Sequence, residues 1–474
     1  MAVGRTVVKN TLYLISAQGA TSALAFVQAV ILVRYLGTES YGVWSVAQAW
    51  PGILHVLTDM GLNSYILREI AADRGRLGFY FLNALLIKLV MAAVFLGVVW
   101  SASRMLGYGP QVGFYIFLAA AAQAVASLEL LFLALFRAIQ CFVYESIIGA
   151  AKAVGLLAVV VLVVHKGLGI KEILYGSLVW EVALVAGCFA LLLGHWRPAR
   201  ERLLGPVGSV KLVVRASPFA LLTFIMPIFY QIDIVMLSKL ASMEAVGIYS
   251  AAYKLVVTLI LIPRAFKNAL FPTLSRLHAT SREQFEAVFS FACKAMALVG
   301  FPLAFLIFAQ AGRIITFLYA NRFAESVLPL KIMAFCLLFT YLYSTTQAAL
   351  DASHNEARSA LVWLAATVSN VVVDLILIPR YGYVGSAMAT LLSEMTVFAG
   401  GYIVLRRRLS LRLGGALLLK VGGLAALTAL LVSVLKLHLL LLAAAAVLIY
   451  PALVFFAGIF SRQELKMLFA RGES

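Results

Sequence analysis

Charge is what this sequence has least of. Asp, Glu, Lys and Arg make up 12% of its residues against 63% hydrophobic ones, whereas soluble domains run near a quarter charged and half apolar. That shortage excludes a soluble globular chain. Cysteine is scarce too: Cys141, Cys188, Cys293 and Cys336 lie in or beside apolar stretches without CxxC or metal-ligand spacing. Neither a disulfide framework nor a metal site is expected, and the cysteines are read as packing residues. Long polar loops are missing on one side of the chain, the longest there being the stretch around Gly312 to Ser326. An enzyme acting on external polymers needs such a loop for its carboxylates, so no catalytic residue and no cofactor are expected, and a membrane glycosyltransferase or polymerase is the weakest alternative. A cleavable signal is also missing, since Arg5 and Lys9 lead straight into an apolar stretch with no small-residue cleavage site.

What is present is a succession of apolar runs about as long as a bilayer is thick, roughly 20 residues each. They show no alternating dyad, and in lipid every backbone polar group needs an internal partner, so they are predicted to be helices. Fourteen spans are predicted, near 11–33, 41–60, 79–101, 112–136, 146–164 and 173–193, then 218–237, 245–271, 285–310, 327–350, 359–378 and 384–405, and finally 413–435 and 439–460. The fold class is therefore all-α, a polytopic membrane protein of two pseudo-symmetric six-helix lobes plus two C-terminal helices. The predicted divisions are 1–194 for the N-lobe, 195–215 for a cytoplasmic linker, 216–408 for the C-lobe and 409–474 for the last two spans and a cytoplasmic tail.

The net charge of +18 is spread over many short loops, which fits anionic lipid and topology and excludes a nucleic-acid patch. Alternate loops carry most of it, among them Arg68, Arg74, Arg76, Arg137, Arg264, Lys267, Arg276, Arg282 and the run Arg406 to Arg408. By the positive-inside rule both termini are expected in the cytoplasm.

The chain also repeats itself. A shift of 205 positions lays GVWSVA, Gly42 to Ala47, on GIYSAA, Gly247 to Ala252, and sets Glu39 on Glu244, Arg34 on Lys239 and Gln28 on Asp233. A shift of 213 sets Glu181 on Glu394, and Lys88 has Lys294 near its equivalent place. Internal repeats in an apolar chain point to a transporter with its site between the repeats.

Asp233 followed by GIYSAAYK at Gly247 to Lys254, LGTESYG at Leu36 to Gly42, FPTLSRL at Phe271 to Leu277 and the long run from Asn355 to Glu394 together resemble the polysaccharide transporter family. These are the Wzx-like flippases of the multidrug/oligosaccharidyl-lipid/polysaccharide exporter superfamily. The resemblance covers essentially the whole chain. It implies two lobes facing a central cavity, alternating access, and transfer of a polyprenyl-diphosphate-linked oligosaccharide from the cytoplasmic to the outer leaflet of the cytoplasmic membrane. It further implies lipid-linked oligosaccharide and membrane lipids as partners, with a polysaccharide polymerase and other assembly proteins beside them. Whether H⁺ or Na⁺ drives transport stays open. Two relatives remain as alternatives: a peptidoglycan-precursor flippase, for which several arginines are expected in the first lobe, and a multidrug or metabolite exporter, for which about twelve spans are expected.

Charges inside spans cost about 2.5–3.5 kcal/mol on insertion scales, so they tend to face a wet cavity or one another. The set is Lys88, Glu129, Lys152, Glu181, Asp233, Lys254, Lys294, Asp374, Glu394 and Lys420. Lys254, Lys88 and Lys294 are expected to line the cavity and attract the diphosphate; an interhelical ion pair is the plainer alternative for each. Lys152 and Lys420 are expected to snorkel to the cytoplasmic face. Asp233, Glu129 and Asp374 are the coupling or cavity carboxylates, and Asp233 either pairs with Lys254 or takes up a proton. Pro227 and Pro263 flank the duplicated segment and are hinge candidates, since proline removes a helix hydrogen bond. Tyr230, Tyr249, Tyr253, Trp44 and Trp50 are candidates for stacking on sugar, against the routine presence of aromatics at membrane interfaces.

Overall fold

The computed structural model describes residues 2–194, 204–216, 221–411, 413–435 and 437–459, and these are helical apart from short turns, with no strand among them. The helices are α1 (Ala2–Leu54), α2 (Leu62–Ala72), α3 (Leu77–Met105), α4 (Pro110–Ala138), α5 (Phe142–His165), α6 (Ile170–Leu193), α7 (Pro206–Ala216) and α8 (Leu221–Leu240). They continue with α9 (Met243–Leu259), α10 (Leu261–Thr280), α11 (Arg282–Tyr319), α12 (Val327–Ala334), α13 (Cys336–Ala352), α14 (Glu356–Leu409), α15 (Gly415–Val434) and α16 (Leu439–Phe456). Among the described residues, eleven helical segments are long and apolar enough to cross a membrane. α1 and α14 each hold two of the predicted spans, bent where Gly37 (φ 76°) and Gly382 (φ 55°) take backbone conformations that side chains disfavour. With α8 this accounts for the fourteen helices of an all-α membrane protein. Residues 195–203 of the predicted linker and 460–474 of the predicted tail lie outside the described residues.

Two helices were not among the predicted spans. α2 and α7 are short and amphipathic, and Leu62, Ile66 and Ile70 of α2 share a buried cluster with Leu212 of α7, Phe81 and Ile87 of α3, Phe132 and Phe136 of α4 and Leu192 of α6. The predicted linker therefore contains a packed helix. Its entry is fixed by Asn83 of α3, whose Oδ1 accepts from the Leu204 backbone N–H at 2.7 Å.

The chain forms two compact units, Met1–Ser250 and Ala251–Ser474, divided inside α9. In the first, α4 is the central helix, packed on α1, α2, α3 and α6, while α8 packs on α1. The duplicated segments meet there at repeat-equivalent positions. A Cβ on Gly42 would stand 1.8 Å from the Met243 carbonyl oxygen, and one on Gly247 would stand 1.8 Å from the Thr38 carbonyl oxygen. Thr38 and Met243 are themselves 205 positions apart. The contact is thus nearly symmetric on exchange of the repeats, and only glycine permits it.

In the second unit α13 packs on α10, α11 and α14, and α15 bridges α11 and α16. The predicted span 245–271 is interrupted at Ile260, between α9 and α10. The cause is local: Pro263 has no N–H to give the Leu259 carbonyl. The Tyr341 hydroxyl of α13 donates to that carbonyl at 3.0 Å instead, so the break is satisfied from a neighbouring helix.

Candidate functional site

Ion pairs fill the interior of the first unit. Lys88 of α3 has no exposed surface. Its ammonium donates to the carbonyls of Thr58 (3.2 Å) and Ser127 (3.1 Å) and pairs with Asp59 Oδ1 at 3.0 Å. Three acceptors use all three donors of an ammonium, so in this conformation Lys88 ties α3 to α4 and to the turn after α1 and presents nothing to a cavity. Glu129 of α4 and Glu181 of α6 share Lys152 of α5, at 2.6 and 2.9 Å. Lys152 was expected to snorkel; a side chain whose ammonium sits between two buried carboxylates has better partners than interfacial water, and it turns inward. Lys420 is exposed and donates to the Ala457 carbonyl at 2.6 Å.

Asp233 of α8 is buried, and its Oδ2 accepts from the Tyr249 hydroxyl of α9 at 2.5 Å. Tyr249, a candidate for sugar stacking, has no exposed surface. Trp50 serves a hydrogen-bond chain: its indole N–H donates to the Tyr108 hydroxyl at 3.2 Å, and Ser238 Oγ, 2.6 Å from Tyr108, donates to the Val235 carbonyl at 2.7 Å. With Ser238's proton so engaged, Tyr108 is the donor to Ser238. Burial pushes the Tyr108 phenol above its ordinary range, which keeps that donor proton in place. The Lys239 ammonium stands 3.2 Å from the Tyr108 ring centroid, a cation–π contact.

In the second unit the picture differs. Lys294 of α11 donates to the Ile459 carbonyl at 3.2 Å, just beyond the C-terminus of α16, where a cation suits the exposed carbonyls and the dipole. Lys267 pairs with Asp351 at 3.0 Å. Glu394 of α14 accepts from Thr340 of α13 at 2.9 Å, and Asp374 of α14 is fully buried. Lys254 of α9 is half-buried, and among the described residues of its unit no acceptor pairs with its ammonium. Of the three lysines expected to meet a diphosphate, it is the one whose ammonium meets no acceptor among the described residues of its unit. Pro263 stands at the α9–α10 break and Pro227 inside α8.

The second unit also holds a cavity of ≈ 510 Å³ among α11, α15 and α16, lined by Leu298, Pro302, Leu306, Leu442, Ala446 and Tyr450 among others. That is within the roughly 300–1,000 Å³ of ligand pockets. Its walls are apolar except for Gln310, which donates to Ser433 Oγ at 3.1 Å, and the Tyr450 hydroxyl.

Asp59 and Asp351 were missed from the sequence as partners of Lys88 and Lys267. Each stands at the end of a predicted span, where an acid needs no explanation; the signal was the lysine, whose burial demands a carboxylate nearby.

A family model described as "Polysaccharide biosynthesis protein" matches residues 7–278, and one described as "Lipid II flippase MurJ" matches residues 209–470. Among curated relatives, the "Probable low-salt glycan biosynthesis flippase Agl15" of Haloferax volcanii is 23% identical over 383 residues, 78% of each chain. The "Probable flippase AglR" of the same organism is 24% identical over 259 residues, 53% of this chain and 51% of the relative. Among solved structures, a lipid II flippase MurJ in an inward closed conformation aligns with a TM-score of 0.77 at 13% identity, covering 96% of this chain and all (100%) of that one. An inward-facing multidrug resistance MATE family transporter of the MOP superfamily aligns at 0.70 and 17% identity, covering 82% and 94%. At these identities the structures establish a common fold. Since the first family model spans more than half of the sequence, the chain belongs to the polysaccharide biosynthesis protein family, within the superfamily that holds the MurJ and MATE folds.

Proposed function

We propose that this protein is a flippase that moves a polyprenyl-diphosphate-linked oligosaccharide from the cytoplasmic to the outer leaflet of the cytoplasmic membrane by alternating access, supplying cell-surface glycan assembly. The observation that carries the reading is Lys254: a half-buried ammonium in a membrane helix with no partner among the described residues of its unit. Leaving such a charge uncompensated is costly, and a transient anionic ligand accounts for it. A diphosphate suits an ammonium, because a point charge with three rotatable donors needs no planar partner. The apolar cavity of the second unit is chemically matched to an isoprenoid chain, so the two ends of the cargo each have a complementary surface. Flippase relatives of glycan biosynthesis and the family match support the same reading.

Both termini are assigned to the cytoplasm on the distribution of Lys and Arg. The protein acts as a carrier and not as an enzyme, since no covalent step is asked of it, and a polymerase and other assembly proteins would take the product on the outer side. The MurJ family match over residues 209–470 favours one second reading, a peptidoglycan precursor as cargo; that ligand carries the same diphosphate and isoprenoid, and competition between defined cargos separates the two.

The test is leaflet accessibility of a defined polyprenyl-diphosphate oligosaccharide in reconstituted vesicles. Wild-type protein should equilibrate the leaflets, and Lys254→Glu, inserted to the same level, should slow transfer by at least about tenfold, the equivalent of roughly 1.4 kcal/mol. Unchanged transfer by Lys254→Glu would remove this lysine, and with it the main support, from the mechanism.

A further inference from the structure

The Glu129–Lys152–Glu181 cluster does not balance. Two carboxylates face one ammonium, so the fully ionised cluster carries one net negative charge in the middle of three membrane helices, α4, α5 and α6. Its carboxylate side chains are only 4% and 7% exposed. One oxygen, Glu181 Oε2, is buried without any hydrogen-bond donor. A buried carboxylate oxygen without a donor is among the costliest arrangements a membrane interior can hold. A single added proton removes both faults at once: it brings the cluster to zero charge and turns one carboxylate oxygen into a donor.

The surrounding charges do not supply that compensation. Lys88 on α3 is already matched by Asp59. His55, in the turn after α1, and the thiol of Cys188 on α6 are the remaining titratable groups near the cluster, and neither brings a carboxylate or an ammonium. At the start of α5, Glu145 is taken up by a two-bond pair with Arg137 of α4. On α2, Arg68 and Glu69 neutralise each other, and Asp73, just beyond its end, pairs with Arg76. Among the described residues Asp59, Glu69, Asp73 and Glu145 each have their own base, whereas Glu129 and Glu181 have one between them.

The repeat provides an internal comparison. Glu394, the repeat mate of Glu181, accepts from the Thr340 hydroxyl, and at the same shift of 213 the place of Glu129 is taken by Leu342 and that of Lys152 by Ala365. The pairing of two carboxylates with one ammonium is therefore a feature of the first repeat and not of the duplication. Lys152, with 31% of its side chain exposed, is the least buried member of the cluster.

We propose that Glu129, Lys152 and Glu181 form a one-proton binding site, neutral when protonated and carrying one negative charge when not. The shared proton sits between the two carboxyl groups while Lys152 holds them together, and loss of the proton drives the two carboxylates apart. That motion would couple α4, α5 and α6 to the proton gradient; this coupling rests on the flippase reading, whereas proton binding does not.

The decisive measurement is infrared titration of the purified protein in nanodiscs, following the C=O stretch of protonated carboxylic acid. Wild-type protein should show a titrating band, and Glu181→Gln and Glu129→Gln should each remove the same one-proton component. Lys152→Met should enlarge it to two protons, because two carboxylates without an ammonium both need one. A band unchanged by both glutamine variants overturns the proposal, as does a component that Na⁺ displaces at fixed pH, which would make the ligand a metal cation. Should one glutamine variant fail to fold, the other and the wild-type Na⁺ titration still decide the matter. In vesicles, the leaflet distribution reached by wild-type protein should shift about tenfold per unit of pH gradient for one coupled proton, and Glu181→Gln should still move cargo but ignore the gradient. A gradient response kept by Glu181→Gln overturns the coupling. A wild-type protein that moves no polyprenyl diphosphate defeats the transport reading alone, while the infrared result stands by itself.

Discussion

The glycine pair at the meeting of the repeats gives a prediction whose sign is opposite to the usual one. Glycine to alanine in a helix is ordinarily favourable by up to about 1 kcal/mol. At Gly42 the added Cβ would lie 1.8 Å from the Met243 carbonyl oxygen, and real Cβ atoms essentially never approach closer than 3.0 Å. The obstacle is backbone and has no rotamer to swing aside, so α1 and α9 must part by more than 1 Å. Overpacking of this kind costs about 1–3 kcal/mol; with rigid main chain on both sides the upper half of that range applies, leaving a net loss of about 2 kcal/mol. Gly247→Ala meets the Thr38 carbonyl at the same 1.8 Å and should lose the same amount. The double variant should lose little more than either single one, because the separation forced by the first Cβ makes room for the second, giving a coupling energy of about 2 kcal/mol. Gly97→Ala in α3, where nothing lies within 4 Å, should be neutral or slightly stabilising. Unfolding in a bilayer mimetic measures all four. Strictly additive losses, or singles no worse than Gly97→Ala, would refute the reciprocal contact.

Two further predictions test how buried polar groups are matched. Lys88→Met leaves Asp59 and the Thr58 and Ser127 carbonyls without their donor and should cost about 3–5 kcal/mol; adding Asp59→Leu should restore much of that, and a double variant as unstable as the single one would show that the pair is not the cause. Tyr341→Phe removes the donor to the Leu259 carbonyl and should cost about 1 kcal/mol. In a Pro263→Ala background the restored backbone N–H competes for that carbonyl, so the same change should cost measurably less, and an equal cost in both backgrounds would separate the tyrosine from the proline break.

Much of the architecture was legible because lipid enforces it. Apolar runs must be helices of bilayer length, and the bends at Gly37 and Gly382 fall where the hydrophobic pattern breaks between predicted spans. The repeat was legible because GVWSVA and GIYSAA keep their glycine, and the 1.8 Å approaches explain why those glycines could not drift. What escaped was pairing across helices. Lys152 on its own helix looks like a residue two turns from an interface, and nothing along α5 announces Glu129 and Glu181 on either side of it. α2 escaped for a different reason: its buried Leu62, Tyr65, Ile66 and Ile70 have helical spacing, but they span too few residues to resemble a membrane crossing. α7 was hidden inside a basic stretch that reads as linker.

The lysines inside the helices therefore divide by what meets them, and the division predicts opposite signs. Lys88 is matched by three acceptors, so its removal weakens the fold. Lys254 meets no acceptor among the described residues of its unit, so none of them repays the desolvation of its ammonium. Its counterpart one repeat earlier, at the shift of 205, is Ala49, a fully buried alanine, which shows that the duplicated helix does not require a cation at this position to pack. Lys254→Met keeps the length of the stem and deletes only the charge; it should leave stability unchanged or raise it by up to about 2 kcal/mol, part of the insertion cost of a lysine, discounted because the residue is half-exposed. The same variant should lose transfer of the diphosphate-linked cargo. Unfolding and leaflet accessibility measured on one preparation separate the outcomes: a Lys254→Met protein destabilised as badly as Lys88→Met would mean that this charge, too, is structural, and the headgroup would have to be met elsewhere.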